Sequence, residues 1–376
     1  MIYLDNAATT FPKPVCMGSE ISKCINKYCG NPGRSSHLMA IKSAEKVYEA
    51  RELLAKMFGS DIERVIFTYN TTYALNIAIK SLIKYSSHVL ISDIEHNSVV
   101  RPIYNLSREK LCTYDVFSTN GSDEEIISCI KSLITKNTSL IVCTCASNVG
   151  ERRLPIKKIG ELCRIYGIKL IVDGAQGAGI HQINVKEMNI DALCIPAHKG
   201  LYGPQGLGMI VFGTDEIGRS VIEGGTGINS LEAEMPDFLP ERYEAGTMST
   251  PLIAGLCESL KWLEEIGIDR IRLYEERLYS YLYEILSNDK RFCVYKMNEY
   301  NGNTLMFNVI DMPHTIIGTE LNKRGICVRT GLHCSPFAHK LLNTPGGAVR
   351  VSFSVFNSKS DVNSLYEALC SIVSSK

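Results

Sequence analysis

Two ionisable residues stand directly after apolar segments of the chain. Asp173 ends the segment KLIVD and precedes GAQGAG, and Lys199 follows DALCIPA and His198 and precedes GLYGPQGLG. An ammonium group at the end of an apolar strand is costly to bury unless it is deprotonated or paired. Both conditions favour a lysine that forms a Schiff base with an aldehyde. A surface lysine and an ordinary Asp-Gly turn are the alternatives.

Asp173 and Lys199 together suit one cofactor, pyridoxal 5′-phosphate (PLP). Its ring nitrogen needs an anionic partner and its aldehyde needs a lysine. Its phosphate needs donors, which Thr71 and Thr72 can supply at the start of a predicted helix, with N-capping by Thr71 as the alternative. His96, after VLISDIE, could lie flat on the ring or be an ordinary core histidine. The glycines after Asp173 do not match the G-x-G-x-x-G dinucleotide fingerprint.

The elements that must position these residues alternate along the chain. Apolar strands are predicted at 64–70, 88–93, 139–147, 169–176, 191–197 and 208–213, and helices at 36–59, 71–84 and 156–167. This alternation predicts an α/β fold with a mainly parallel central sheet and helices on both faces. Ligands of such sheets gather at the carboxyl ends of the strands, where Asp173 and Lys199 fall.

The pattern changes after about residue 252. Two long helical stretches are followed by short strands at RFCVYK, TLMFNVI, ICVRTG and AVRVSFSVF and by a final helix, DVNSLYEALCSIV. These elements predict a smaller α+β domain. We therefore expect a large PLP-binding domain at 14–251 and a small domain formed by 1–13 and 252–376, a division that suits a chain of 376 residues.

The composition of the chain limits the binding partners and the cellular compartment that we expect. Forty basic residues balance forty acidic ones, so nothing in the charge favours nucleic acid or an anionic membrane as the main partner. The N-terminus MIYLDNAATTFPKP does not resemble an export signal, and no window approaches about 20 uninterrupted apolar residues. The 14 cysteines form no C-x-x-C pair and no metal-type spacing. We expect reduced thiols in a cytoplasmic protein without a metal.

An ordered series of motifs resembles a known family. The motifs are YLDNAATT, EHNS, SNVG, VDGAQ, HKGLYGPQGLG, EAGT, RTGLHCSP and the arginine of AVRVSF, and they span nearly the whole chain. The chain resembles the class V, fold-type I PLP enzymes, and within them the group II cysteine desulfurases and selenocysteine lyases. The resemblance implies the fold-type I architecture, PLP as cofactor, and L-cysteine or selenocysteine as substrate.

The resemblance also implies roles for residues of this sequence. Lys199 matches the Schiff-base lysine, Asp173 the partner of the pyridinium nitrogen, and His96 the catalytic ring-stacking group. The remaining matches concern the other contacts of cofactor and substrate. Asn148 and Gln176 match contacts of the phenolic oxygen, Thr72 and His198 match phosphate ligands, Thr247 matches a contact to the phosphate of a neighbouring subunit, and Arg350, with Arg329 and Asn148, matches the substrate site. Thr247 therefore implies a homodimer.

Cys334, in RTGLHCSPFAH, determines the expected activity. Arg329 and His333 stand close to it in sequence, and a basic neighbourhood lowers the pKa of a thiol and makes it a better nucleophile. The resemblance then implies that Lys199 moves a proton while the Cys334 thiolate takes the substrate sulfur, which leaves a persulfide on the enzyme and releases alanine. A sulfur-acceptor protein could receive that sulfur. A purely structural Cys334 is the alternative.

Two other kinds of function remain open from the sequence, because a fold does not fix a function. The first is a different PLP activity, such as selenocysteine lysis, β-elimination or transamination. The second is a catalytically silent binding or scaffold protein, against which Lys199, Asp173 and Cys334 together argue.

Overall fold

The structure is a computed structural model and describes residues 1–33, 36–150, 152–297 and 302–375. The strands are β1 (Ile2–Tyr3), β2 (Val65–Thr68), β3 (Ser87–Ser92), β4 (Cys112–Phe117), β5 (Thr138–Thr144), β6 (Lys169–Asp173), β7 (Ala192–Pro196), β8 (Gly208–Phe212), β9 (Phe292–Tyr295), β10 (Thr304–Val309), β11 (Ile326–Cys327), β12 (Arg329–Gly331) and β13 (Ala348–Ser352). The α-helices are α1 (Val15–Lys27), α2 (Leu38–Phe58), α3 (Thr71–Leu82), α4 (Asn97–Arg108), α5 (Asp123–Leu133), α6 (Ile156–Tyr166), α7 (Thr250–Ile266), α8 (Ile268–Ser287), α9 (His314–Lys323), α10 (Pro336–Leu341) and α11 (Lys359–Ser374).

Seven strands form the central sheet in the order β2-β8-β7-β6-β5-β3-β4. Only β8 runs antiparallel to its neighbours in this sheet, and the other pairs are parallel. The predicted α/β fold with a mainly parallel sheet is therefore confirmed. Because β2, β3, β5, β6 and β7 share one direction, their carboxyl ends meet at one edge of the sheet, and the segments that follow them converge there.

The apolar strands explain why both faces of the sheet are covered. Leu90, Ile141 and Val172 belong to one buried cluster, and their neighbours Ile91 and Val142 belong to another. Successive side chains of a strand point to opposite faces, so the two clusters lie on opposite sides of the sheet. Each such side chain contributes roughly 1.5–3 kcal/mol when it is fully buried. The carboxyl edge of this sheet is therefore a rigid support for the segments that follow the strands.

A second, antiparallel sheet has the order β12-β13-β10-β9 and packs with α8, α9 and α11 around a separate apolar cluster. The short strand β1 pairs in parallel with β11, which joins the first residues of the chain to the C-terminal part. Helix α7 packs against α1 and α2. The division of the chain at residues 251 and 252 stays a prediction. No helix in the described ranges is long and apolar enough to cross a membrane.

Candidate active site

A cavity of about 260 Å³ lies where the carboxyl edge of the central sheet faces β12, β13 and the turn that carries Cys334. Almost every residue that the sequence predicts for the site lines this cavity: Thr71, Thr72, His96, Asn148, Asp173, Gln176, His198, Lys199, Arg329, Cys334 and Arg350. The exception is Thr247, which lies outside the cavity and is exposed. The fold thus brings together residues that are up to 279 positions apart, from Thr71 to Arg350.

Lys199 lies two residues beyond Ala197, the buried residue directly after β7, and lines the cavity together with Asp173 and Arg350. Burial lowers the pKa of Lys199 to about 8, with Asp173 opposing this shift and Arg350 and Arg329 adding to it. A lysine with such a pKa is partly deprotonated near neutral pH. Its amine can therefore act as a nucleophile and can both accept and donate a proton.

Asp173 ends β6 and is only 3% exposed. Burial raises the pKa of Asp173, while a hydrogen bond from the Ala175 N–H to its Oδ1, 2.9 Å long, works in the opposite direction. A buried carboxylate is stable in its ionised form only beside a cation or a strong donor. The protonated ring nitrogen of PLP is such a group. Asp173 therefore fits the position that the sequence gives it.

The first turn of α3 forms one end of the cavity. Asn70 caps this helix, because its Oδ1 accepts a hydrogen bond of 3.1 Å from the Tyr73 N–H. Thr71 and Thr72 are therefore the first helical residues, and the interpretation of Thr71 as the N-cap is wrong. Gly208 of β8 permits this arrangement, because a Cβ there would lie 2.4 Å from the Asn70 backbone. The exposed N–H groups of such a turn favour an anion.

The first turn of α4 is linked to the first turn of α3. Ser98 Oγ lies 2.8 Å from Thr72 Oγ1 and 2.9 Å from His96 Nδ1, and the Ser98 N–H donates to the same ring nitrogen over 3.1 Å. His96 is therefore the N-cap of α4. Burial and the charge of Lys199 lower the pKa of His96 to about 4. The ring is neutral at pH 7, with its proton on Nε2, since Nδ1 is the acceptor.

His198 supplies a polar atom that fits a bound ligand. Its Nδ1 is buried and has no hydrogen-bond partner among the residues that the structure describes. Burial and the charge of Lys199 lower the pKa of His198 to about 4. Together with the helix starts at Thr71 and His96, this nitrogen suits an acceptor such as a phosphate oxygen or hydroxyl. The cavity residues thus fit PLP at both its ring and its phosphate.

Arg350 lies in β13 and is fully buried. Its Nη2 forms an ion pair of 2.7 Å with Asp5 Oδ1, and its Nη1 donates to the Asn148 backbone oxygen over 3.2 Å. Its Nε is buried without a partner in the described part of the chain. A buried guanidinium with an unused donor suits a carboxylate. Asp5 holds the group in place and offsets part of its charge.

The first residues of the chain also hold the segment that carries Lys199. The His198 carbonyl accepts hydrogen bonds from Thr9 Oγ1 at 3.1 Å, the Thr10 N–H at 3.1 Å and Lys13 Nζ at 2.8 Å. Thr10 Oγ1 donates to the Lys199 carbonyl over 3.1 Å. The backbone of Lys199 is therefore fixed by side chains that lie nearly two hundred residues away in sequence.

Asn148 and Gln176 contact protein groups on the far side of the cavity. Gln176 Nε2 donates to the Ala7 carbonyl over 3.0 Å. Asn148 Nδ2 donates to the His333 carbonyl, and Asn148 Oδ1 accepts from the Ser335 hydroxyl, both over 2.7 Å. Asn148 thus holds the residues on both sides of Cys334, a contact that its predicted role beside the cofactor did not include.

Cys334 is exposed on a turn beside Arg329, whose Nη2 lies 3.7 Å from Cys334 Sγ. The Cys334 carbonyl accepts a hydrogen bond of 2.9 Å from the Asn97 N–H at the start of α4. His333 does not add positive charge, because burial and the charge of Arg350 lower its pKa far below the usual range and its ring bonds to His339 instead. The basic neighbour of the thiol is therefore Arg329.

Several residues that line or support the site were not among those predicted, and Asp5, Ser98 and His339 are three of them. Asp5 and Ser98 stand inside the motifs YLDNAATT and EHNS, so membership of those motifs is a signal that could have found them. His339 stands five residues after Cys334, and its spacing carries no such signal.

A lysine and an aspartate at the carboxyl edge of a mainly parallel sheet, with two helix starts for a phosphate, define a fold-type I PLP enzyme. The chain matches the family model of aminotransferase class V over residues 2–365 and belongs to that family. PLP is the cofactor of this family.

The relatives and solved structures that resemble this chain carry narrower descriptions than the family does. A probable cysteine desulfurase of Methanothermobacter thermautotrophicus is 29% identical, over 98% of this chain and 94% of its own length. A probable cysteine desulfurase of Staphylococcus aureus strain COL is 30% identical, over 98% of this chain and 91% of its own length. The apo structure of the cysteine desulfurase from Thermococcus onnurineus NA1 superposes with a TM-score of 0.91 at 27% identity and covers 100% of this chain and 95% of that chain.

Proposed function

We propose that the protein is a PLP-dependent cysteine desulfurase that converts L-cysteine to L-alanine and carries the sulfur as a persulfide on Cys334. The observation that supports this function best is the exposed Cys334 thiol beside Arg329, on the wall of the same cavity as Lys199 and Arg350. Full-length relatives described as probable cysteine desulfurases support it as well.

The substrate is held by its carboxylate. Arg350 offers its unpartnered Nε, and the contacts of Nη1 and Nη2 fix the plane of the guanidinium. Arg329, half-buried on the same wall, is a second cation: it lies opposite Arg350 in the pairing of β12 with β13, and its Nη2 is 3.7 Å from Cys334 Sγ. The two arginines favour a substrate with one carboxylate and direct its side chain toward the thiol.

Bound PLP supplies an aldehyde for the substrate amine and an electron sink for the substrate carbons. Lys199 then moves a proton at the substrate α-carbon, a role that its pKa of about 8 permits near neutral pH. His96 is neutral and caps α4, so it offers a flat, uncharged face to the ring. Asp173 keeps the ring nitrogen protonated.

Cys334 takes the sulfur. Its thiolate attacks the substrate sulfur, an S–S bond forms, and the bond from sulfur to the substrate β-carbon breaks. The electron pair of that bond stays with carbon, which takes up a proton and becomes the methyl group of alanine. Arg329 Nη2, 3.7 Å from Cys334 Sγ, is placed to donate a hydrogen bond to the attacking sulfur.

The test is to incubate the purified holoenzyme with L-cysteine, measure alanine, and determine by intact mass and peptide mapping whether one sulfur is added at Cys334. We expect stoichiometric persulfide and alanine in the wild-type protein and neither in the Cys334→Ala variant. Undiminished alanine formation by Cys334→Ala would contradict this function. A matched control is Cys293→Ala, because Cys293 is also exposed but lies outside the cavity.

We further propose that the enzyme is a homodimer in the cytoplasm that passes its sulfur to an acceptor protein. Thr247 is exposed, and the neighbouring segment exposes Leu231 and Phe238, which suits contact with a second subunit. All fourteen cysteines are free thiols, which suits a reducing compartment. Light scattering at several protein concentrations tests the dimer, and Thr247→Ala should weaken PLP binding if this threonine reaches the neighbouring site.

A further inference from the structure

Two buried histidines lie beneath the turn that carries Cys334. His333 is 3% exposed and His339, in α10, is fully buried. His333 Nδ1 and His339 Nε2 are 3.0 Å apart, and the two rings are inclined by 14°. Neither imidazole contacts the cavity that holds the other site residues. The function proposed above gives this pair no role.

The hydrogen bonds of the pair have one consistent direction. The Arg329 carbonyl, 3.5 Å from His333 Nε2, can only accept, so His333 carries its proton on Nε2. Burial lowers the pKa of both rings, which are therefore neutral. His333 Nδ1 must then accept from His339 Nε2–H, and His339 Nδ1 accepts from the Thr344 hydroxyl over 2.8 Å. The series runs from Thr344 through both rings to Arg329.

The turn above this pair has a backbone that needs external support. His333 has φ of 51° and Cys334 has φ of 60°, so two successive residues with a Cβ lie in the left-handed region. Such a conformation persists where the surroundings impose it. The Asn148 side chain and the Asn97 N–H hold the carbonyls of His333 and Cys334 from one side. His339 is the residue that holds the His333 ring from the other side.

The same histidine links the turn to the strand that carries Arg350. The His339 N–H donates to the Ser335 carbonyl over 3.3 Å, and the His339 carbonyl accepts from the Thr344 N–H over 2.8 Å. Thr344 lies in the short connection from α10 to β13. An apolar side chain could fill the same space, but it could not donate to the His333 ring, and a buried His333 Nδ1 without a donor is costly.

We propose that His339 is a positioning residue for sulfur transfer: through its hydrogen bond to His333 it holds Cys334 Sγ beside Arg329, in reach of the substrate. This inference rests on the desulfurase function proposed above. Within that function, binding of the substrate depends on Arg350 and Lys199, whereas capture of the sulfur depends on the turn. A change at His339 should therefore affect the second step and not the first.

The test compares two variants of His339 in the holoenzyme. His339→Leu fills the space without a donor, whereas in His339→Gln the side-chain amide can still donate to His333. We expect His339→Leu to lower kcat for alanine formation from L-cysteine about 10- to 100-fold, the scale of a displacement of about 1 Å, with KM nearly unchanged. Formation of persulfide on Cys334 in a single turnover should slow equally. His339→Gln should recover most of the rate.

A second substrate separates positioning from a general loss of structure. Selenocysteine has a weaker bond from carbon to its heteroatom and releases selenium without an enzymic nucleophile. His339→Leu should therefore retain selenocysteine cleavage within about threefold of the wild type, since PLP, Lys199 and Arg350 are intact. An equal loss with both substrates, or no loss with cysteine, would overturn the proposal.

A second pair of variants applies if His339→Leu does not fold. His333→Asn and His333→Gly both suit a positive φ, but only asparagine offers an acceptor near the position of Nδ1. We expect His333→Gly to lose more cysteine activity than His333→Asn, and equal activities would overturn the inference.

Failure of the proposed function and failure of this inference give different results. If Cys334→Ala keeps its activity on cysteine, the proposed function fails, and the inference fails with it. If Cys334→Ala is inactive and His339→Leu is fully active, the inference alone fails.

Discussion

The two walls of the cavity are built in different ways. On the wall formed by the central sheet, which we call the sheet wall, Asp173 ends β6 and Lys199 follows β7, and the shared direction of these strands brings both residues to one edge. On the opposite wall, which we call the turn wall, Cys334 lies on a short turn that is held by the Asn148 side chain, the Asn97 N–H and the His339 ring. A rigid sheet suits groups that hold a cofactor. A turn held by a few hydrogen bonds suits a thiol that, in the function proposed above, meets a substrate and then an acceptor.

The largest expected effect tests the sheet wall. Lys199→Ala removes the amine that, in the function proposed above, bonds the cofactor and moves the proton, so alanine formation from cysteine should fall at least about 1,000-fold. The imine absorbance of the bound cofactor should disappear, which a spectrum of the purified protein measures. Lys186→Ala, at an exposed ion pair, is the matched control and should behave as the wild type. If Lys199→Ala retains activity, the sheet wall does not supply the group for proton transfer, and the contrast between the two walls fails.

A pH titration of the cofactor-free protein tests the same lysine by its effect on stability. Burial lowers the pKa of Lys199 from 10.5 to about 8. The unfolded chain therefore binds more protons than the folded one between about pH 8 and 10.5, and the free energy of unfolding should rise with pH in that window. We expect Lys199 to contribute about 1–3 kcal/mol of that rise. Urea denaturation at several pH values should show a smaller rise in the free energy of unfolding for Lys199→Met. If this free energy rises equally with pH in both proteins, the pKa of about 8 for Lys199 is contradicted.

The next effect tests the turn wall. Asn148→Ala leaves the His333 carbonyl and the Ser335 hydroxyl without their buried partner, which should lower the free energy of unfolding by about 1–3 kcal/mol. Urea denaturation measures this loss. Asn105→Ala, on the exposed side of α4, should change it by less than about 0.5 kcal/mol. If the two variants are equally stable, the turn does not depend on Asn148, and the contrast between the walls weakens.

The smallest effect concerns the helix start that faces the phosphate. Asn70→Ala removes the cap of α3 and should cost about 1 kcal/mol, whereas Asn70→Asp keeps an acceptor for the Tyr73 N–H and should cost less. Thermal melting of the two variants measures the difference. A cost equal to or larger than that of Asn148→Ala would show that the sheet wall also depends on single side chains.

Much of the sheet wall could be predicted from the sequence. The strands β2, β3 and β5 to β8 are short apolar runs, and such runs predict buried strands. Strand β4 was not predicted, because CTYDVF lies at the edge of the sheet and mixes polar with apolar residues. Helix α4 was not predicted either, since HNSVVRPIYNLSR contains Pro102 and several residues that favour turns.

The turn wall could be predicted only by resemblance. The motif RTGLHCSP indicates Cys334, but no pattern in the sequence shows that Asn148 holds both of its neighbours or that His333 turns toward His339. These contacts join residues up to 187 positions apart, as Asn148 and Ser335 are, and depend on the final packing of the two sheets. The sequence therefore counts His333 as part of a basic neighbourhood of the thiol, whereas burial keeps this ring neutral.

The segment from Asp5 to Lys13 connects the two sheets mechanically. Within a few residues it bonds to Arg350 and Ser352 on the second sheet and to the carbonyls of His198 and Lys199 at the edge of the first. It therefore acts as a short tether between Arg350, the proposed carboxylate-binding group, and Lys199, the proposed group for proton transfer. A ligand that occupies Arg350 should slow amide hydrogen exchange at Ala7 and Thr10, because both N–H groups belong to this tether.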